Sequence, residues 1–306
     1  MVIFLLIFKM MQPINGSFVA LVTPMHKQGE IDFDSLKKLV EWQVQEGSDG
    51  IVSVGTTGES ATLSVKEHLE VVAKTVEYAN GRLLVIAGTG SNSTSQAIET
   101  TVESKKVGAD ACLLVTPYYN KPSQNGLIQH YTKIAESVDI PQILYNVPTR
   151  TSCDILPETV EVLSQHKNIV GIKESVNDEN RMNDLIKISK STNDSFSILS
   201  GDDPTFAKLM ELGGHGVISV AANVIPKSIS EICSLMRQKN LEEAFELNEC
   251  NKSLYDLLFV ESNPVPVKWM LSKMEMIQNY LRLPLVQLDE KFHQNIHSEM
   301  IKLGLL

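Results

Sequence analysis

From about Ser17 onward, short apolar runs rich in β-branched residues alternate with longer stretches of helical periodicity, and polar or glycine turns separate them. The short runs predict strands at 18–22, 50–54, 83–87, 111–116, 142–145, 169–172, 196–199 and 216–220. The longer stretches predict helices over 34–46, 65–79, 94–107, 126–138, 157–165, 179–190, 203–212 and 226–239. Eight strands, each followed by a helix, predict an α/β fold, the (β/α)8 TIM barrel. A doubly wound open sheet is the alternative, and it would carry Gly-x-Gly-x-x-Gly after its first strand. Here Thr23-Pro24-Met25 follows that strand, while Gly88-Thr89-Gly90 comes after the third and lacks the last glycine. Beyond Leu241 the strand rhythm stops. The pattern there predicts helices over 241–259, 265–273 and 289–303, separated by Asn263-Pro264-Val265-Pro266 and Leu283-Pro284. The expected organisation is an N-terminal tail (1–15), a barrel (16–239) and a C-terminal helical region (240–306).

Composition narrows the function more than the fold. With 43% hydrophobic and 21% charged residues over 306 positions, the chain resembles an ordinary soluble enzyme. A net charge of -10 without any basic run argues against a nucleic-acid groove, so no nucleic-acid partner is expected. Cys112, Cys153, Cys233 and Cys250 show neither a Cys-x-x-Cys motif nor paired His spacing. Neither a disulfide framework nor a zinc site is signalled, which favours a reducing, cytoplasmic setting. The apolar stretch 1–8 is too short to span a membrane and has no basic leader or small-residue cleavage site. It is read as a tail, or as sequence upstream of a start at Met10 or Met11, with a short membrane-active anchor as the alternative.

Charged and hydroxyl groups at the strand ends supply the chemistry. The buried-strand run Asn168-Ile-Val-Gly-Ile-Lys173 ends in a lysine, where a barrel keeps its reactive groups. A lysine of ordinary pKa has roughly one neutral amine in a few thousand at pH 7, and a shift of about three units by desolvation makes it a usable nucleophile. From this segment alone, a lysine snorkelling to solvent is the more ordinary reading. After the second strand, Gly55-Thr-Thr-Gly-Glu59 offers two hydroxyls and successive backbone N–H groups that suit a carboxylate or phosphate, or else forms an ordinary capped turn. Thr116-Pro-Tyr-Tyr-Asn120 and Tyr145-Asn-Val-Pro-Thr-Arg150 add phenols that can carry protons and a guanidinium that can clamp a carboxylate. Together these groups describe Schiff-base chemistry on anionic carbonyl compounds. Asp202-Asp203 is read as a helix N-cap rather than a metal site, and His215 as structural.

These strings resemble the class I, lysine-dependent pyruvate aldolases related to N-acetylneuraminate lyase, and within them the dihydrodipicolinate synthase branch. The resemblance runs from about Gly16 to the C-terminus. Val52-Ser-Val-Gly-Thr-Thr-Gly-Glu-Ser-Ala-Thr62, Tyr145-Asn-Val-Pro-Thr-Arg150, Gly171-Ile-Lys-Glu174 and Gly213-Gly-His-Gly-Val-Ile-Ser219 carry it. It implies that Lys173 forms the Schiff base with pyruvate and that Tyr145 passes protons through Thr56 to Tyr119. It further implies that Thr57 holds the pyruvate carboxylate, Ile218 lines that pocket, and Arg150 binds aspartate semialdehyde. No metal or organic cofactor is implied. A homotetramer is, a dimer of dimers in which Tyr119 reaches the neighbouring subunit's site. Ser60, Ala61, His68, Asn92, Gln96 and Tyr118 fall on the positions of a feedback site for lysine. Val65 and Gln96 stand there in place of a histidine and a glutamate, which implies weak or absent inhibition. The competing expectations are a sister aldolase acting on a sugar acid, against which Thr56-Thr57 and Arg150 speak, and a non-catalytic sensor of pyruvate or lysine.

Overall fold

The structure, a computed structural model, describes residues 13–306. The first twelve residues, on which most of the tail and the start-site expectations rest, lie outside the described part. Eight parallel strands close into a barrel in chain order. They are β1 (Gly16–Ala20), β2 (Gly50–Ser53), β3 (Leu84–Gly88), β4 (Ala111–Val115), β5 (Gln142–Asn146), β6 (Ile169–Glu174), β7 (Ser197–Ser200) and β8 (Gly216–Ser219). Their connections carry α1 (Phe33–Gln45), α2 (Val65–Ala79), α3 (Thr94–Lys106), α4 (Gln124–Ser137), the single turn α5 (Pro148–Thr151), α6 (Pro157–Leu163), α7 (Glu179–Ser191), α8 (Phe206–Glu211) and α9 (Pro226–Arg237). The chain then adds α10 (Leu241–Cys250), α11 (Lys252–Leu257), α12 (Val265–Lys273) and α13 (His293–Lys302). This is the (β/α)8 architecture that the hydrophobic rhythm predicts.

Side-chain alternation along each strand divides the core in two. Phe18, Val52, Ile86, Leu113, Ile143, Leu199 and Ile218 pack inside the barrel. Their neighbours along the strands, such as Val19, Ile51, Leu114, Leu144 and Ile198, pack outward against the helices. The seam between β1 and β8 requires glycine, because a Cβ on Gly216 would stand 2.0 Å from the carbonyl oxygen of Gly16.

Three departures from the predicted boundaries each trace to a particular side chain. The helix expected over 203–212 begins only at Phe206, because the Asp203 carboxylate accepts from the Val220 and Ala221 N–H groups at 3.1 Å. Asp203 thus caps the short turn after β8 instead of its own helix, which corrects the N-cap expectation. The helix expected over 241–259 breaks at Asn251, whose side chain turns inward to Ser228 at 2.8 Å. Strand β6 runs two residues past its apolar run, and that extension positions the site.

Candidate active site

Lys173 is paired in register with Tyr145 on one side and Leu199 on the other, inside the sheet rather than at a frayed end. The next residue explains why the strand continues. Glu174 is buried and points to the opposite face, where its carboxylate accepts from Arg181 Nε at 2.7 Å, Asn146 Nδ2 at 3.0 Å and the Val176 N–H at 2.8 Å. Arg181 also grips the Asp154 carboxylate at 2.8 Å and the Ile155 carbonyl. An unpaired buried carboxylate would be strongly unfavourable, so this network pins Glu174 outward. By alternation it holds Lys173 inward.

The lysine side chain is 5% exposed, and its Nζ lies 4.5 Å from the centre of the Tyr145 ring. Burial lowers its pKa to about 8; Asp203 opposes the shift and Arg150 adds to it. Tyr145, 8% exposed, is pushed up by burial, with Arg150 and Ser175 acting against the shift and Glu174 with it. Burial also raises the carboxyl of Asp203, against the Ser219 hydroxyl and the two N–H groups that it accepts from. An amine near its neutral point and a protonated phenol therefore face each other in an apolar chamber. Ile218, fully buried on β8, lines the same barrel interior.

Thr57 is buried and Thr56 half-buried in the turn after β2. The turn does not present the row of free N–H groups that the sequence implies. Those of Gly58, Glu59 and Ser60 bond within the turn, and the helix that follows is a 3-10 turn over Ser60–Thr62. Among the described residues, no backbone carbonyl takes the N–H of Thr56 or Thr57. The Thr57 hydroxyl accepts from Asn263 Nδ2 at 2.9 Å. Arg150, on the exposed one-turn helix after β5, donates to the Asn263 carbonyl at 3.4 Å. Tyr119 stands apart: it is 89% exposed with φ of 75°, so a single chain does not bring it to Tyr145 and Thr56.

Asn263 escaped the sequence reading, where its Asn-Pro-Val-Pro segment served only as punctuation. So did the pair beneath the turn. Lys268 of α12 is fully buried; its Nζ bonds Glu59 at 2.5 Å and the Thr23 carbonyl at 2.9 Å. Glu59, held at φ of 56°, also accepts from the Arg282 N–H at 3.1 Å. The available signal was the one that exposed Lys173: a lone lysine interrupting an apolar stretch, here Val265-Pro-Val-Lys-Trp-Met-Leu271.

Of the residues assigned to a lysine site, Asn92, Gln96 and Tyr118 lie near one another. Asn92 Nδ2 donates to the Tyr118 carbonyl at 3.2 Å, and Gln96 Oε1 accepts from Ser91 at 3.0 Å. His68 on α2 has a buried Nε2 without a partner among the described residues, and burial lowers its pKa. Ser60 and Ala61 form the 3-10 turn, and no hydrogen bond among the described residues ties them to the other four. His215 accepts from the Ile198 N–H through Nδ1 at 3.1 Å, a structural bond. Among the described residues, no group of three or more potential ligands is placed to hold a metal, and no helix is long and apolar enough to cross a membrane. A cavity of about 1330 Å3 opens at the opposite end of the barrel, between residues such as Asp49, Asp110 and Lys167, away from Lys173.

Residues 13–302 match the family described as the Dihydrodipicolinate synthetase family. The chain is 53% identical over 294 residues to the 4-hydroxy-tetrahydrodipicolinate synthase of Stutzerimonas stutzeri, covering 96% of this chain and 99% of that one. It is 52% identical over 294 residues to the enzyme of the same name from Pseudomonas aeruginosa, at the same coverage. Among solved structures it resembles the chloride-inhibited dihydrodipicolinate synthase of Acinetobacter baumannii complexed with pyruvate, at a TM-score of 0.93 and 48% identity over 96% of this chain and 100% of that one. It also resembles a monomeric dihydrodipicolinate synthase variant, at a TM-score of 0.94 and 40% identity over 98% and 99% of the two chains.

Proposed function

Because the chain belongs to the dihydrodipicolinate synthetase family, we propose roles for the residues at the barrel mouth in its reaction. The enzyme condenses pyruvate with L-aspartate 4-semialdehyde through a lysine Schiff base, giving (4S)-4-hydroxy-2,3,4,5-tetrahydrodipicolinate for lysine and diaminopimelate synthesis. The neutral amine of Lys173 adds to the keto carbon of pyruvate, and the hydroxyl formed leaves as water with a proton from Tyr145. The iminium acidifies the adjacent methyl group; Tyr145 takes that proton, and an enamine results. The enamine carbon attacks the aldehyde, whose oxygen takes the proton that Tyr145 removed from the methyl group. The amine of the second substrate then attacks the iminium carbon, closes the ring and releases Lys173.

The observation that carries this reading is the buried pair of Lys173, its pKa lowered to about 8, and Tyr145 at 4.5 Å. Thr57 binds the pyruvate carboxylate: its oxygen already accepts from Asn263, so its own proton is free for the substrate. Ile218 lines the pyruvate pocket, and Arg150 clamps the carboxylate of the semialdehyde. Tyr119 completes a relay with Thr56 across subunits in a homotetramer. Its exposure and left-handed backbone support that role, since a strained, exposed aromatic is poorly accounted for within one chain. Sedimentation is the check on assembly, because a structural relative of 40% identity is a monomeric variant. We place the enzyme in the cytoplasm, a reading supported by four free cysteines.

Turnover of pyruvate with aspartate semialdehyde, followed through a coupled NADPH-consuming reductase, tests the reading. A parallel assay with N-acetylmannosamine should show none. Activity only with the sugar would transfer the function to a sister aldolase, and pyruvate binding without turnover would make the protein a sensor. The relatives described above support neither alternative.

A further inference from the structure

Ser175 stands two residues beyond Lys173, and its N–H continues the ladder to the Asn146 carbonyl at 3.1 Å. Strand alternation therefore turns its side chain to the same side as the lysine. A Cβ on Gly201 would lie 2.1 Å from Ser175 Oγ and 2.7 Å from Lys173 Cε. Only glycine at 201 lets the hydroxyl and the amine stem share this corner of the chamber. Ser175 Oγ is itself buried and has no hydrogen-bond partner among the described residues. A desolvated hydroxyl with neither donor nor acceptor satisfied is unfavourable. Tyr145 is its neighbour across the strands, since it pairs in register with Lys173, whose stem shares the Gly201 corner with the serine; the serine's nearness eases ionisation of the phenol against the burial that opposes it. The other charged groups about Tyr145 are Lys173 and Glu174 on β6 and Arg150 after β5, with Asp203 behind the lysine.

We propose that Ser175 is a positioning residue for the reaction, donating a hydrogen bond to the Tyr145 oxygen whenever that tyrosine has given up its proton. The serine keeps its own proton throughout. It steadies the phenolate between the moment Tyr145 protonates the departing hydroxyl and the moment it recovers a proton from the methyl group. This inference rests on the role given above to Tyr145.

The experiment compares wild type with Ser175→Ala, Ser175→Thr and Ser175→Cys in three readouts: the pH profile of kcat, borohydride trapping of pyruvate and the thermal midpoint. In Ser175→Ala the limb set by Tyr145 should move to higher pH by about half a unit to one unit. Its kcat should fall roughly three- to tenfold while pyruvate still traps on Lys173. Ser175→Thr, which retains the hydroxyl, should restore both, and Ser175→Cys, a weaker donor, should fall between. An unchanged profile and kcat in Ser175→Ala, with a raised thermal midpoint, would overturn the proposal and leave the serine an unsatisfied core hydroxyl. Tyr145→Phe separates the premise from the inference. If it retains wild-type kcat, the role of Tyr145 falls and the inference with it; if it is inactive and Ser175→Ala is silent, the serine's role alone falls.

Discussion

Among the described residues two lysines are buried, Lys173 in the barrel and Lys268 on α12, and their surroundings set them apart. Lys268 bonds a carboxylate at 2.5 Å, whereas the groups that Lys173 meets are a tyrosine ring, a more distant aspartate and an arginine that repels it. Holding such an amine protonated costs free energy, and that is what makes it nucleophilic. Its folded pKa of about 8 lies below the unfolded 10.5, so the cost is in full force below pH 8 and is relieved between pH 8 and 10.5. The rate of pyruvate trapping should accordingly rise about tenfold per pH unit below pH 8 and level off above it. Lys173→Met should abolish trapping while raising stability at pH 7 by on the order of 3 kcal/mol in denaturant unfolding. Arg150 lies on the exposed turn after β5. Arg150→Ala should raise the KM for aspartate semialdehyde by roughly ten- to a hundredfold and leave pyruvate trapping intact. Equal losses in both would contradict its assignment.

The elements that shape the site include one from outside the barrel. Helix α12 and the segment before it reach over the mouth, where Asn263 meets Thr57 and Arg150, and Lys268 meets Glu59. Removing one member of a buried ion pair leaves an uncompensated charge, at a cost of about 3–5 kcal/mol. Lys268→Met should lower unfolding stability by that amount. It should also raise the KM for pyruvate, since Glu59 ends the turn that carries Thr57; a stable variant with unchanged KM would separate the helix from the site. At this scale the sequence was legible in its rhythm: every strand begins within two residues of its predicted start. It was less legible where a polar side chain bonds to something distant in the chain. Glu174 prolongs β6 because Arg181 and Asn146 satisfy it, and Asp203 delays α8 because it caps a turn after β8.

For the whole molecule, the lysine-site residues make a separable prediction. Gln96 is an exposed amide and Val65 an exposed aliphatic, and neither provides the ionic hydrogen bond that a carboxylate gives an ammonium group. Millimolar lysine should therefore inhibit turnover weakly or not at all, and Gln96→Glu should increase sensitivity; strong inhibition of the wild type would refute this. The sequence by itself determined the closed barrel, because apolar periodicity is a local property and eight βα units leave few ways to bury their faces. It also determined the kinds of chemical group at the strand ends, and the resemblance of its motifs assigned them expected roles. Only the tertiary structure decided that Lys173 is desolvated and inward-facing. It likewise placed Asn263, Glu59, Lys268 and Ser175 at the mouth and showed that Tyr119 stands clear of the relay within one chain. Burial and hydrogen bonding depend on residues far apart in the chain, Glu59 and Lys268 being separated by 209 positions and Thr23 and Lys268 by 245, and no local pattern records that distance.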